Sequence, residues 1–188
     1  MGSLVGDPSE PWSVVVMALQ FAADRHRHQR RKDAAASPYI NHPIALVHLL
    51  YQEAGVSDPV VLASALLHDT VEDTDTSLAE LETHFGAEIA KVVAQVTDDK
   101  SLPKAVRKQQ QVAHASSLCD RAKLIKLADK TANLRDLVAS PPVGWSVARC
   151  QDYCHWAKQV VDQLRGTHPT LEAHFDQVYE AAIAQMAD

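Results

Sequence analysis

The sequence predicts an all-α fold, a helical bundle of about eight or nine helices. Glycine is scarce, with 6 residues in 188, and prolines fall at the edges of helix-periodic segments. No stretch alternates apolar and polar side chains between turn signals as a half-buried strand does. The length suits a single domain, which we expect over residues 1–188, with a folded core over 13–185 and a flexible segment over 1–10.

The composition is that of an ordinary globular protein. Hydrophobic residues make up 46% and charged residues 22% of the chain, so enough apolar surface exists to form a core. A formal net charge of −6 argues against a nucleic-acid-binding protein, and the apolar stretches are shorter than the roughly 20 residues that span a membrane. Three cysteines without a C-x-x-C motif favour a reducing compartment, the cytoplasm.

Helix signals in the first half of the chain are caps and prolines. Residues Asp58-Pro59 combine an N-cap with a proline in the first turn, and Pro43 suits the first turn of another helix. Gly55 is placed to end the helix that Pro43 begins. Three helices are therefore expected here, over residues 12–30, 43–54 and 58–71.

The second half of the chain continues the helical pattern. Ser77 and Glu80 form a capping box for a short helix that ends at Gly86. Apolar residues at three- and four-residue spacing then mark the later segments. These segments are residues 87–97, 103–115, 120–138, 145–164 and 169–186.

The most informative segment, Leu66–Asp75, places one histidine and four acidic residues at a helix C-terminus. Carboxylates there oppose the helix dipole, so a bound cation would explain them. His68 and Glu72 are four residues apart, as are Asp69 and Asp73, which places the pairs on adjacent stripes of the helix. We expect this helix end to face a positive ion.

Two further side chains complete a candidate ligand set. His42 precedes Pro43 at a loop-to-helix junction, and Asp129 interrupts an apolar and basic helix. Two imidazoles and two carboxylates suit one divalent ion such as Mn²⁺, Fe²⁺ or Zn²⁺. The alternative is that each residue is an ordinary polar side chain, with Asp129 paired to Lys126 or Lys130. Seven further histidines are expected to be of that ordinary kind: His26, His48, His84, His114, His155, His168 and His174.

Cations surround the candidate ligands in this acidic chain. Arg30, Arg31 and Lys32 lead into the loop that reaches His42, and Asn133 lies one helical turn beyond Asp129. A divalent metal ringed by Arg and Lys suits a phosphate-bearing substrate, because both neutralise phosphoryl oxygens. The combination predicts hydrolysis of a phosphoester or a pyrophosphate.

The order of His42, His68-Asp69 and Asp129 resembles the H…HD…D pattern of HD-domain metal-dependent phosphohydrolases. The neighbouring segments resemble the hydrolase domain of Rel/SpoT proteins, and most of all the small alarmone hydrolases, which include metazoan SpoT homologues. The resemblance covers about residues 13–185. Its motifs are QRRKD at 29–33, SPYINHP at 37–43, ALLHDTVEDT at 65–74, VTDDK at 96–100 and KLADK at 126–130.

This resemblance implies an HD-domain fold and an activity that ends the stringent-response signal. The enzyme would remove the 3′-pyrophosphate of guanosine tetra- or pentaphosphate with Mn²⁺ bound, releasing pyrophosphate and GDP or GTP. It also implies roles for individual residues. His42, His68, Asp69 and Asp129 match the metal ligands; Glu72 and Asp73 match the catalytic acidic pair that orients or deprotonates the attacking water; Arg31, Lys32, Asn133 and Tyr153 match residues that bind the guanine nucleotide.

The sequence departs from the family pattern at one pair of residues, and it leaves two other functions open. Thr131-Ala132 replaces a bulkier pair, which we expect to loosen the nucleotide pocket. The chain could be an HD phosphohydrolase that acts on another nucleotide or on a phosphorylated dinucleotide cofactor. It could also be a nucleotide sensor without catalysis, although a sensor has no use for an acidic turn that costs stability. The oligomeric state is left open.

Overall fold

Helices account for most of the chain between residues 11 and 187, the range that the computed structural model describes. The flexible segment expected at 1–10 lies outside that range. Within it the chain forms nine α-helices and no strand, so the predicted all-α fold is confirmed. They are α1 (Pro11–Arg25), α2 (Asn41–His48), α3 (Pro59–Leu67), α4 (Thr70–Asp73), α5 (Leu78–Val96), α6 (Lys104–His114), α7 (Asp120–Ala139), α8 (Val147–Asp162) and α9 (Pro169–Gln185).

Most helix ends follow the signals that the sequence carries. The Asp58 carboxylate accepts a hydrogen bond from the Val60 N–H at 2.9 Å and caps α3. The Ser77 hydroxyl accepts one from the Glu80 N–H at 3.2 Å and caps α5. Gly86, with φ of +84°, breaks α5 at the predicted boundary, so the two helices expected there are the two halves of one kinked element.

Two predicted helices are too long. The first ends at Arg25 and not at Arg30, because the following backbone pairs across a loop: the Arg31 N–H donates to the Ser37 carbonyl at 2.8 Å, and Arg30 and Pro38 form an isolated antiparallel bridge. The helix that begins at Pro59 ends at Leu67 and not at Val71. The chain bends at His68 and Asp69 and resumes as α4.

The core is built around α3 and α7. Every residue from Val61 to Leu67 is buried, and α7 buries eleven of its side chains. Helices α1, α2 and α5 pack on α3, while α8 and α9 pack on α7. Burying each Leu or Ile side chain contributes about 1.5–3 kcal/mol, so the two helices are firmly held. The C-terminal end of α3 and the middle of α7 are thereby brought close together.

Two smaller features complete the fold. Cys150 and Cys154 are buried in α8 as free thiols, as expected for small apolar side chains, and Cys119 is exposed. Between residues 11 and 187, no helix combines the length and the apolar character needed to cross a membrane.

Candidate metal centre and active site

Four of the predicted side chains converge where three parts of the fold meet. His42 lies in the first turn of α2, His68 and Asp69 at the bend after α3, and Asp129 in the middle of α7. Single ligand atoms of His42, His68 and Asp69 lie within 4.8 Å of one another. The Asp129 Oδ1 atom is 3.2 Å from Nε2 of His42 and 4.0 Å from Nε2 of His68. The geometry thus gathers two imidazoles and two carboxylates in one place.

The arrangement of His68 fits a metal ligand. Its Nδ1 lies 2.8 Å from the Ala65 carbonyl, so Nδ1–H donates there and the Nε2 lone pair faces the cluster. Nε2 is buried and lies 2.9 Å from Oδ2 of Asp69, yet it makes no hydrogen bond within the described residues. A buried imidazole nitrogen beside a carboxylate needs a positive charge between them, which either a proton or a metal cation supplies. The donor set of two nitrogens and two oxygens suits a divalent transition ion.

Electrostatics at the cluster favour a positive charge. Burial opposes ionisation of Asp69, but His68 and His42 outweigh it and lower the pKa of that carboxyl. Burial likewise opposes ionisation of Asp129, and Lys130 together with His42 lowers its pKa well below the usual range. Burial disfavours the charged form of His68, but Asp69 and Asp129 prevail and raise its pKa to about 9. The two carboxylates are therefore ionised at neutral pH and ready to hold a cation.

Three neighbours fix the carboxylates in place. The Tyr39 hydroxyl donates to Oδ2 of Asp69 at 2.5 Å, and burial raises the pKa of Tyr39, so the phenol remains a donor. Asn133 Nδ2 donates to Oδ1 of Asp129 at 2.6 Å, and Lys130 Nζ donates to its Oδ2 at 2.9 Å. Such outer contacts orient ligands and tune their basicity. The ion pair between Asp129 and Lys130 that the sequence allowed is thus present as well.

Glu72 and Asp73, the predicted acidic pair, occupy α4 but make different contacts. The Glu72 carboxylate accepts from the Asp98 N–H and from Arg107, each at 3.3 Å. Burial and the nearby carboxylates of Asp98, Asp69 and Asp73 raise the pKa of Glu72, which brings it nearer to that of a general base at neutral pH.

The Asp73 carboxylate contacts other side chains. It accepts from Gln29 Nε2 at 2.9 Å and from Lys100 Nζ at 2.5 Å. Gln29 is held in turn by the buried His26, whose Nδ1 lies 2.5 Å from the Gln29 Oε1 atom. His26 is thus a hydrogen-bonded histidine, as expected, but it belongs to the surroundings of the candidate site.

An open cleft of about 570 Å³ begins at the cluster. Of the four clustered side chains, His42 lines the cleft, and of the acidic pair, Asp73 lines it but Glu72 does not. All of the predicted nucleotide-binding residues line it as well. The lining includes Arg31, Lys32, Tyr39, His42, Asp73, Asn133, Trp145 and Tyr153. The cleft therefore joins a cation-rich wall to the candidate metal centre.

Ion pairs and aromatic contacts shape the walls of the cleft. Arg31 donates to Asp136 at 2.5 Å and to Oδ1 of Asn133 at 3.3 Å, so Asn133 links this arginine to Asp129. The Tyr153 ring packs against the rings of Trp145 and Trp156, with centroids 5.8 and 5.4 Å away. Thus Tyr153 combines a packing role with a surface that faces the cleft.

Thr131 and Ala132 are not among the residues that line the cleft, and the expected loosening of the nucleotide pocket stays a prediction. Both are buried in the core, and the Thr131 hydroxyl donates to the Leu127 carbonyl at 2.8 Å. Of residues 131–133, Asn133, about one turn beyond Asp129, is the one that lines the cleft.

Sequence reasoning assigned no role to several residues around the centre. Tyr39 and Gln29 lay in the quoted motifs but had no assigned function, and Arg107 was not singled out at all. The motif SPYINHP could have indicated Tyr39, since it stands three residues before His42. Arg107 gave no such signal, because it lies on a polar helix 35 residues from Glu72.

Comparisons with known proteins identify the family. A model of the HD domain matches residues 18–152. The mouse and human proteins named guanosine-3′,5′-bis(diphosphate) 3′-pyrophosphohydrolase MESH1 are 56% identical over 163 residues and 57% identical over 155 residues. The mouse alignment covers 87% of this chain and 91% of its relative, and the human one 82% and 87%.

A solved structure extends the comparison to the fold. It is described as a metazoan ortholog of SpoT that hydrolyses ppGpp and plays a role in starvation responses. It superimposes with a TM-score of 0.89 and 48% sequence identity, covering 92% of this chain and 97% of the other. The chain accordingly belongs to the HD-domain family and, within it, groups with the MESH1 proteins.

Proposed function

We propose that the chain hydrolyses the 3′-pyrophosphate of guanosine tetra- and pentaphosphate, releasing pyrophosphate and GDP or GTP. The observation that carries the proposal is the position of the two-histidine, two-carboxylate cluster at the end of a cleft lined by Arg31 and Lys32. The activity named for the mouse relative, which is 56% identical over 87% of this chain, supports the same reaction.

One divalent ion would be held by His42, His68, Asp69 and Asp129, and we propose Mn²⁺. Mixed imidazole and carboxylate ligands suit Mn²⁺, and they also suit Fe²⁺ or Zn²⁺. When bound, the ion supplies Lewis acidity to a phosphoryl oxygen and to water. The lowered pKa values of Asp69 and Asp129 keep both carboxylates available as ligands at neutral pH.

Glu72 and Asp73 would serve the attacking water. The oxygen of water joins the phosphorus attached to the 3′-oxygen, the bond between that phosphorus and the 3′-oxygen breaks, and a proton ends on the 3′-hydroxyl. A carboxylate of the acidic pair accepts the proton that water loses. The raised pKa of Glu72 suits this role, and Asp73 borders the cleft directly.

The far part of the cleft would bind the nucleotide. A guanidinium can stack on a base and donate in a fork, so Arg31 suits a guanine, with Lys32 beside it in the same loop. Tyr153 offers an aromatic surface, and Asn133 contacts both Arg31 and Asp129. The three free thiols of the chain fit the reducing cytoplasm that we propose as the location of this activity.

The test is turnover of ppGpp by purified protein with Mn²⁺, with products separated by anion-exchange chromatography. GDP and pyrophosphate in equal amounts are expected, together with about one Mn²⁺ per chain by elemental analysis. No product at micromolar enzyme, while ppGpp still binds tightly, would favour a sensor. A panel of other nucleotides and phosphorylated dinucleotides, compared by kcat/KM, separates this substrate from its competitors.

A further inference from the structure

Glu72 lies in an unusually acidic environment for a residue that must be ionised to accept a proton. The carboxylates of Asp69, Asp73 and Asp98 all act on it, and burial adds to their effect. Carboxylates this close repel one another, so a free Glu72 side chain would become protonated or turn towards solvent. Something must hold its charge and its orientation.

Arg107 is the cation that meets this need. Its Nη1 atom lies 3.3 Å from Oε1 of Glu72 and 3.9 Å from Oδ2 of Asp98, between the two carboxylates. Of the ion pairs formed between residues 11 and 187, this is the one that reaches Glu72. The Nε atom of Arg107 is buried and has no hydrogen-bond partner among residues 11–187. The contacts of the guanidinium with Glu72 and Asp98 therefore come with the desolvation penalty of one unsatisfied donor.

The rest of α6 supports the same contact. This helix has no fully buried residue, and its Gln111, one turn after Arg107, donates to Oδ2 of Asp98 at 2.7 Å. The backbone N–H of Asp98 in turn donates to Oε2 of Glu72. Both oxygens of Glu72 are therefore held by a unit that comprises Arg107, Asp98 and Gln111.

We propose that Arg107 is a positioning residue of the reaction, which keeps the Glu72 carboxylate ionised and directed at the attacking water. The inference rests on the proposed function, since it takes Glu72 as a member of the catalytic pair. Arg107 itself is not among the residues that line the cleft, and it acts through Glu72. A purely structural ion pair would stabilise the fold without changing the chemical step.

The first experiment compares Arg107→Gln and Arg107→Lys with the wild type in the ppGpp assay. For Arg107→Gln we expect kcat to fall about 10- to 100-fold, less than the roughly 10²- to 10⁴-fold contribution of a general base because Glu72 itself is still present, with KM and Mn²⁺ content unchanged. Arg107→Lys should recover part of kcat, because it restores the charge without the fork. A wild-type kcat in Arg107→Gln overturns the inference.

Arg121 provides the matched control. It donates to Asp58 at 2.6 Å and to Glu88 at 2.5 Å, remote from the cleft. Arg121→Gln removes two ion pairs, so its melting temperature should fall by a similar amount while kcat stays at the wild-type value. Equal loss of kcat in both variants would assign the effect to general destabilisation.

A double-mutant cycle with Glu72→Gln gives the sharpest separation. If Arg107 acts through Glu72, then adding Arg107→Gln to Glu72→Gln should reduce kcat no further. Independent, multiplicative losses in the double variant contradict the proposal. The cycle compares the residual kcat of the folded single and double variants, so a change in the free energy of unfolding does not enter the comparison.

A second readout needs no substrate, so it stands even if ppGpp is not hydrolysed. The carboxyl carbon of Glu72 is followed by ¹³C NMR against pH in protein loaded with diamagnetic Zn²⁺. Removing the opposite charge in Arg107→Gln should raise the pKa of Glu72 above its wild-type value, since only the Asp98 N–H then opposes the effect of Asp69, Asp73 and Asp98. An unchanged titration overturns the inference, whereas wild-type protein that fails to turn over ppGpp overturns only the proposed function.

Discussion

The candidate metal centre and the cleft beside it are built in opposite ways. His42, His68 and Asp129 are 3%, 5% and 9% exposed and project from elements packed into the core. Arg31 and Lys32, by contrast, belong to the loop between α1 and α2, where Lys32 is exposed and Arg31 is half-buried. One region is a rigid part of the fold, and the other is a surface held by ion pairs.

The difference determines what a substitution can do in each region. Removing the Asp129 carboxylate leaves a buried cation, Lys130, without its partner, so metal binding and stability should fall together. A charge removed from the cleft wall leaves partners that water can solvate, so mainly substrate binding changes. Substitutions at the centre should therefore affect metal binding and stability, and substitutions in the cleft should affect KM; the largest effect is expected at Asp129.

Replacing Asp129 by Ala should abolish metal binding and activity together. The loss of a ligand removes the Lewis acid, so we expect turnover to fall at least about 10³-fold. The unpaired Lys130 should also lower the free energy of unfolding by about 3–5 kcal/mol. Elemental analysis and thermal unfolding check both effects. Asp120→Ala, an exposed position in the first turn of the same helix, should leave metal and activity unchanged and cost only the roughly 0.3–1 kcal/mol of its interaction with the helix dipole.

Glu72 lies near the candidate metal centre but does not line the cleft, so its substitution shows whether it acts as a ligand or as a proton acceptor. Glu72→Gln should retain one metal per chain and reduce kcat about 10²-fold or more, as expected for loss of a proton acceptor. Glu82→Gln, exposed on α5, is the control and should retain full activity. If Glu72→Gln loses metal instead, Glu72 belongs with the ligands.

The cluster at His68-Asp69 could be inferred from the sequence on physical grounds, whereas the end of the helix that leads to the cleft could not. Four acidic residues at the end of a helix contradict the helix dipole, so a functional site at His68-Asp69 could be inferred without a structure. The end of α1 could not be inferred, because helical periodicity continues past Arg25 while backbone pairing between Arg31 and Ser37 decides the fold. Local patterns do not report a competing long-range hydrogen bond.

Supporting contacts were beyond the sequence for the same reason. Arg107 reaches Glu72 across 35 positions, and Tyr39 reaches Asp69 across 30. Separations of this size follow no helical or strand repeat that could be recognised in the sequence. Only the packing of α6 and of the loop before α2 brings these groups together. Thr131, two residues after Asp129, is buried in the core, so proximity in sequence to a candidate ligand does not by itself place a side chain in the cleft.

On the cleft side, Arg31→Ala should weaken substrate binding while the centre stays intact. Loss of a charged hydrogen-bond donor costs about 1.5–3 kcal/mol, so KM for ppGpp should rise about tenfold or more, with kcat and metal content near the wild-type values. The control is Arg27→Ala, an exposed arginine that pairs with Asp24. A metal-depleted Arg31→Ala protein would show that the two regions are coupled, through Asn133.

The smallest effect is expected for Tyr153→Phe, which keeps the ring that borders the cleft and removes the hydroxyl. Burial outweighs the effect of Lys130 and raises the pKa of Tyr153 to about 12, so the phenol carries no charge at neutral pH that binding could use. The ring itself packs between Trp145 and Trp156, and an aromatic face contributes about 0.5–1.5 kcal/mol beyond its buried area.

We therefore expect Tyr153→Phe to bind ppGpp within about threefold of the wild type, and Tyr153→Ala to raise KM and to lower the melting temperature. Tyr179→Ala is the control for the loss of stability, since Tyr179 stacks on Phe175 and does not line the cleft. A tenfold rise of KM in Tyr153→Phe would mean that the hydroxyl, and not the ring, contacts the nucleotide. Substrate binding in the cleft would then depend on a directed hydrogen bond, like the contacts within the buried centre. The two regions would differ only in how far their side chains are buried.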